Sequence, residues 1–170
     1  DRLRTAPDGT QRIKQALGEM NVIVNRCVQA GRMWDKPLDL HRTSCDALKL
    51  LKQIAGSHHS DVEIRCNGQP GLILDTDEQV LRMLLSNLME NACRYGDPAQ
   101  GVDVSCETKV MGGRDGILFV FSNAEGPAGR PDPERVFSKY YRAPHARRQT
   151  GSGLGLYLVA GFAEQLGGSV

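Results

Sequence analysis

The chain has 170 residues, 40% of them hydrophobic, enough to bury one good core and carry a helical appendage, so one globular domain is the prior. Its 21 basic and 20 acidic side chains leave a net charge of +1, which removes the bulk electrostatic case for nucleic acid or an anionic membrane as partner. Five cysteines (Cys27, Cys45, Cys66, Cys93, Cys106) lack paired spacing, arguing against a disulfide framework or a zinc site and fitting a reducing cytoplasm, and no apolar run approaches the roughly 20 residues of a membrane span. The opening residues have no signal-peptide anatomy, and no direct membrane contact is expected. The chain opens inside a charged segment and stops at Gly167-Gly168-Ser169-Val170, where a strand is expected to start, so it reads as a fragment of something longer.

Pro7-Asp8-Gly9 is turn chemistry, so residues 1–6 would end one helix that hairpins onto the next. From Thr10 onward, Ile13, Leu17, Met20, Val24, Cys27, Gly31 and Trp34 alternate spacings of four and three, the seam of a bundle-type helix. Lys36-Pro37 breaks that helix and divides the chain into residues 1–35, a partial helical hairpin, and residues 36–170, the main domain. Beyond it, residues 38–40 suit a short strand, and residues 45–54 an amphipathic helix with Ala47, Leu48, Leu51 and Ile54 inward. Residues 62–66 and 72–74 read as strands. Asp75-Thr76-Asp77 then caps a helix beginning near Glu78, with Val80, Met83, Leu84, Leu88 and Ala92 as its buried stripe. Residues 102–121 form a β-hairpin turning at Gly112-Gly113-Arg114-Asp115-Gly116. Residues 125–133 are loop, 135–139 a helical turn, and 142–150 a polar, basic, mobile connection. This order gives an α/β two-layer sandwich, a mixed β-sheet with helices on one face, preceded by the long bundle-type helix.

Two stretches carry chemistry. In TGSGLGLY, three glycines at alternate positions (Gly151, Gly153, Gly155) free the backbone to approach a ligand, and the helix that follows turns the positive end of its dipole towards it. A plain glycine-rich turn is the alternative. LSNLMENACRY supplies the balance, because Asn87 and Asn91 stand four residues apart on one helical face.

Together these residues resemble the ATP-binding domain of sensor histidine kinases, within the wider family that includes DNA gyrase and the heat-shock chaperone ATPases. Asn87 and Asn91 match its N box, NLLxNAxRY. Phe137 with Tyr141-Arg142 matches its F box, and Gly151-Ser152-Gly153-Leu154-Gly155-Leu156 its G2 box, all in family order from about residue 38 to the end. The resemblance implies ATP and Mg²⁺ as cofactors. In it Asn91 ligates the metal, an amide carbonyl being the hard oxygen donor Mg²⁺ takes, and Asn87 assists or orders its waters. Arg94 reaches phosphate and Tyr95 lies against adenine. Tyr141 and Arg142 bound the ATP lid, from which Arg147, Arg148 and His145 can also face the triphosphate, and residues 143–150 are expected to be poorly fixed without nucleotide. Glu90 can act as a base or face solvent, and is read as facing solvent.

The family's G1 box, DxGxG, is altered here to FSNAEGPAGRP. Asn123 takes the place of the aspartate that accepts the adenine amino hydrogen, with Gly126 one residue late; alternatively Asn123 caps a turn and Glu125 or a backbone carbonyl faces the base. DRLRT looks like the phosphoacceptor box HxLRT with Asp1 in place of the histidine: either the histidine has been replaced or cut off, or the likeness is accidental and the acceptor lies upstream, the preferred reading because the turn at Pro7 follows too closely for the family's long first helix. None of His41, His58, His59 and His145 has the acceptor's flanking pattern. The resemblance therefore implies the ATP-binding catalytic fragment of a bacterial sensor histidine kinase. It would be the cytoplasmic part of a membrane-bound sensor, would phosphorylate a histidine outside these residues, relay to a response regulator, and form a homodimer through its helical hairpin. A nucleotide-binding or interaction module that no longer catalyses is the alternative. A serine-directed anti-sigma kinase is a third reading, against which the heptad helix argues.

Overall fold

The computed structural model describes residues 38–58, 61–148 and 151–170. The hairpin expected over residues 1–35 and the break at Lys36-Pro37 lie outside them, as do the side chains of Arg147 and Arg148. Chain order is β1 (Thr43–Asp46), α1 (Ala47–Ser57), β2 (Ile64–Gly68), β3 (Ile73–Thr76), α2 (Glu78–Tyr95), β4 (Val102–Met111), β5 (Arg114–Asn123), a 3₁₀ helix (Pro144–Arg148) and α3 (Gly155–Gln165). The main sheet has the order β2-β4-β5, parallel between β2 and β4 and antiparallel between β4 and β5, while β1 and β3 pair as a separate antiparallel ribbon. The mixed sheet with helices packed on it is the α/β architecture expected from the sequence.

Alternation in β4 explains the layering. Val102, Val104 and Cys106 are buried against the helices, while Asp103 and Glu107 point to solvent. Leu51 of α1, Leu85 and Met89 of α2, and Leu158 and Phe162 of α3 complete the core, each less than 2% exposed. Burying side chains of this size stabilises the fold by about 1.5–3 kcal/mol apiece. The stripe of α2 is wider than expected. Leu81, Leu85 and Met89 are buried, whereas Met83 and Leu88 are only half-buried, because α2 is covered from more than one side, packing on both α1 and α3.

Three local expectations need correction. Residues 38–40 are not a strand: Leu38 donates its N–H to Gln165 Oε1 at 3.2 Å and His41 to Asp77 Oδ2 at 2.9 Å, so side chains take bonds a neighbouring strand would have taken. The hairpin turn uses two residues rather than five. Gly112 and Gly113 have φ of 59° and 76°, the pair of positive values that a type I′ turn requires, and β5 begins at once at Arg114 opposite Met111. Residues 135–139 form no helix; Arg135 N–H donates to Asp132 O, Ser138 to Arg135 O and Tyr141 to Ser138 O, a chain of turns.

Candidate functional site

The helix that carries the amides starts where its sequence says. Asp77 accepts from the N–H groups of Gln79 and Val80, both at 3.0 Å, and α2 then runs unbroken to Tyr95. Asn87 and Asn91 consequently share one face, which forms a wall of a cavity of about 310 Å³. That volume is at the lower end of the range for small-molecule sites. A second wall is the glycine loop and the start of α3, with Gly151, Ser152, Gly153, Gly155 and Leu156 in the lining.

Asn87 shows how the walls meet. Its Nδ2 donates to Met83 O at 2.8 Å, and its Oδ1 is buried without a hydrogen-bond partner, 3.6 Å from where a Cβ on Gly155 would stand. A buried carbonyl oxygen left unpaired costs about 1–3 kcal/mol, so it marks a place where a donor or cation belongs. No side chain caps α3, although Ser152 Oγ accepts from Leu154 N–H at 3.3 Å, and the first helical residues, Gly155 and Leu156, face the cavity. An unpaired amide oxygen beside an uncapped helix start suits a metal-bound anion. The donor set therefore fits Mg²⁺ with a polyphosphate.

Arg94 and Tyr95 extend the α2 wall. A Cβ on Gly151 would lie 3.4 Å from Arg94 Nη1 and 3.3 Å from the Tyr95 hydroxyl, so both side chains reach the glycine loop. Arg94 Nη2 also donates to Glu90 Oε1 at 2.6 Å, and Glu90 itself lines the cavity. Its side chain is only 30% exposed, which corrects the solvent-facing reading. Position i−4 to an arginine on a lining face is the signal that could have found it.

Tyr141 and Arg142 both line the cavity. The Tyr141 hydroxyl accepts from Asp132 N–H at 2.9 Å while the Arg135 guanidinium stands 5.2 Å from its ring centroid, and Arg142 Nη2 donates to Ala146 O at 2.5 Å. Ala128, Ala143 and Ala146 form a small buried cluster against Tyr95, and Pro144–Arg148 form a 3₁₀ helix. His145 is exposed and outside the lining.

At the far end Asn123 lines the cavity, its Nδ2 donating to Ala124 O at 3.0 Å. Gly126 does not line it. A Cβ there would overlap the carbonyl oxygens of Tyr95 and Gly96, so Gly126 seats the loop on the end of α2, while Gly129, at φ 69°, takes the place in the wall. Leu154 is likewise behind the wall, 1% exposed in the core. Glu125, the alternative base contact, also lines the cavity and pairs with Arg130 at 3.0 Å, while Val136 is a lining residue that nothing in the sequence assigned to the site.

Comparison with known proteins bears on this arrangement. Residues 76–170 match the family described as histidine kinase-, DNA gyrase B-, and HSP90-like ATPases. The chain belongs to this family. Among its relatives, the swarming motility regulation sensor protein RssA of Serratia marcescens is 29% identical over 108 residues, 63% of this chain and 22% of RssA. The sensor histidine kinase HprS of Escherichia coli is 28% identical over 133 residues, 78% of this chain and 27% of HprS. The chain thus spans roughly a quarter of the length of these two relatives. Full-length ShkA, solved in complex with AMPPNP, shares the fold with a TM-score of 0.68 at 24% identity, over 96% of this chain and 35% of ShkA. Among the described residues no helix is long and apolar enough to cross a membrane.

Proposed function

We propose that the cavity binds Mg·ATP and that this ATPase-family domain is the catalytic part of a sensor histidine kinase, transferring the γ-phosphoryl group to a histidine outside residues 1–170 for relay to a response regulator. The observation that carries the reading is the meeting of the unpaired Asn87 Oδ1 with the uncapped start of α3. AMPPNP in the ShkA structure and the sensor kinases among the relatives support the same reading. Phosphoryl transfer asks a protein mainly for positioning and charge neutralisation. Asn91 and Asn87 would hold Mg²⁺, which when bound neutralises phosphate charge. Backbone N–H groups of the glycine loop and of Gly155 and Leu156 would hold the phosphates, with Arg94 and Arg142 as further cations, and Tyr95 and Asn123 would orient the base. Residues 1–35 would supply the homodimer's helical hairpin, and the parent protein would place this domain in the cytoplasm.

The second reading, a module that binds nucleotide without catalysing, is favoured by one observation: Asn123 supplies a neutral amide, tied to Ala124 O, where the family's G1 box has a carboxylate. Calorimetric titration with Mg·ADP tests binding. Incubation with γ-labelled ATP and a separate phosphoacceptor module tests transfer, with acid-labile, base-stable label expected on that module and none on this chain. Binding without transfer would favour the second reading, and no binding would remove both.

A further inference from the structure

Among the described residues Tyr140 alone combines a side chain with a positive φ, 63°. The left-handed region is unfavourable for an L-residue other than glycine, less so for asparagine, and most unfavourable for a β-branched one. Nothing about the ring explains the choice. It is 62% exposed, with the Lys139 ammonium 5.2 Å from its centroid, and it does not line the cavity. The backbone has a tight neighbour instead. A Cβ on Gly153 would stand 2.8 Å from Tyr140 C, 3.0 Å from Tyr140 Cα and 2.9 Å from Tyr141 O, distances only a glycine allows. Gly153 is itself left-handed, at φ 68°. Two left-handed residues, one closing the turns after Asp132 and one in the middle of the glycine loop, therefore meet backbone to backbone.

We propose that Tyr140 is a positioning residue for the glycine loop. Its left-handed backbone sets the Tyr140–Tyr141 peptide against Gly153, and that contact holds the loop with Gly151 beside Arg94 and Gly155 beside Asn87. The role lies in φ and not in the phenol ring. Its consequence for ligand binding rests on the nucleotide reading above, whereas the contact and its effect on the loop do not.

The test ranks substitutions by tolerance of positive φ, with two readouts: amide hydrogen exchange of residues 151–157 without ligand, and affinity for Mg·ADP. Tyr140→Asn and Tyr140→Gly should keep both near the parent values. Tyr140→Val should speed exchange and weaken Mg·ADP by roughly fivefold or more, with circular dichroism confirming the fold. Equal losses in all three would assign the role to the ring, and parent-like exchange in the valine variant would make the contact idle; either overturns the proposal. Should the valine variant not fold, Gly153→Ala decides. It should speed loop exchange, and Tyr140→Gly in that background should recover part of the loss by letting the opposing backbone yield; strict additivity would contradict the coupling. If the parent itself does not bind Mg·ADP, the nucleotide reading fails while the exchange ranking still decides this inference.

Discussion

Two helix starts in this domain meet the same physical need in opposite ways. The first turn of any α-helix exposes N–H groups with no partner inside the helix. At α2, Asp77 accepts from Gln79 and Val80 and adds His41 N–H at 2.9 Å, with the residue only 7% exposed. At α3 the residue in the corresponding place is Leu154, buried and unable to accept, and no side chain caps the helix. The closed end serves stability and stands away from the cavity; the open end forms part of its wall. On the proposed function, stabilisation forgone at α3 would be the condition for holding an anion there.

The comparison breaks most sharply at Gly153. Gly153→Val adds a branched side chain at φ 68° against the Tyr140 carbonyl carbon, combining a left-handed penalty of about 1–2 kcal/mol with overpacking of about 1–3 kcal/mol. At about 1.4 kcal/mol per decade, Mg·ADP affinity should fall by roughly a hundredfold while the far-ultraviolet dichroism stays near the parent's. Parent-like binding would reduce the loop to a turn.

Asp77→Ala should act on the other helix start and on the other property. Loss of the cap should lower stability by about 1–2 kcal/mol, roughly 2–8 °C in melting temperature, with Mg·ADP affinity of the folded protein unchanged. The same carboxylate gives a pH signature. Burial pushes Asp77 up, but the N–H donors of Val80, His41 and Gln79 together outweigh it and hold it below the usual carboxylate range. A carboxyl depressed in the folded state contributes fully above its unfolded value of about 3.9, and the contribution is lost as pH falls through the lower folded value. Parent and Asp77→Asn should therefore differ in melting temperature at pH 6 and converge in acid; a constant gap would detach the effect from this ionisation.

Asn87→Leu should separate the two properties within one residue. Removing an unpaired buried oxygen should leave the melting temperature unchanged or higher, while Mg·ADP binds at least about tenfold more weakly. A fall in stability with unchanged affinity would make Asn87 a packing residue. The smallest effect is expected at Asn123, where a neutral hydrogen bond is worth about 0.5–1.5 kcal/mol: Asn123→Leu should weaken ADP by roughly two- to tenfold and erode its preference over GDP. Unchanged selectivity would move the base contact along the loop to Glu125.

The same two helix starts show what the sequence makes legible. Asp77 before an apolar-periodic run places the start of α2 near Glu78, and the glycines after Met111 place the hairpin though not the length of its turn, because capping and turn chemistry are local. The lining face of α2 follows from spacing alone once Asn87 and Asn91 are noticed. Pairings set by distant partners do not show. β1 lies at Thr43–Asp46 because Cys45 pairs with Leu74 across the intervening helix and strand, and Leu38 and Leu40 pack on the core in an irregular segment. Gly126 and Leu154 carry the expected pattern but stand behind the wall, and Glu90 is drawn into it by Arg94; those placements depend on how the loop and α3 meet α2 in three dimensions.

Backbone amide chemical shifts during titration with Mg·ADP test the contrast between the two helix starts most directly. The account predicts large shifts at Gly153, Gly155 and Leu156, with Gln79 and Val80 unmoved because Asp77 already holds them. Shifts at neither start, or a response centred on Gln79 and Val80 with the glycine loop silent, would contradict it.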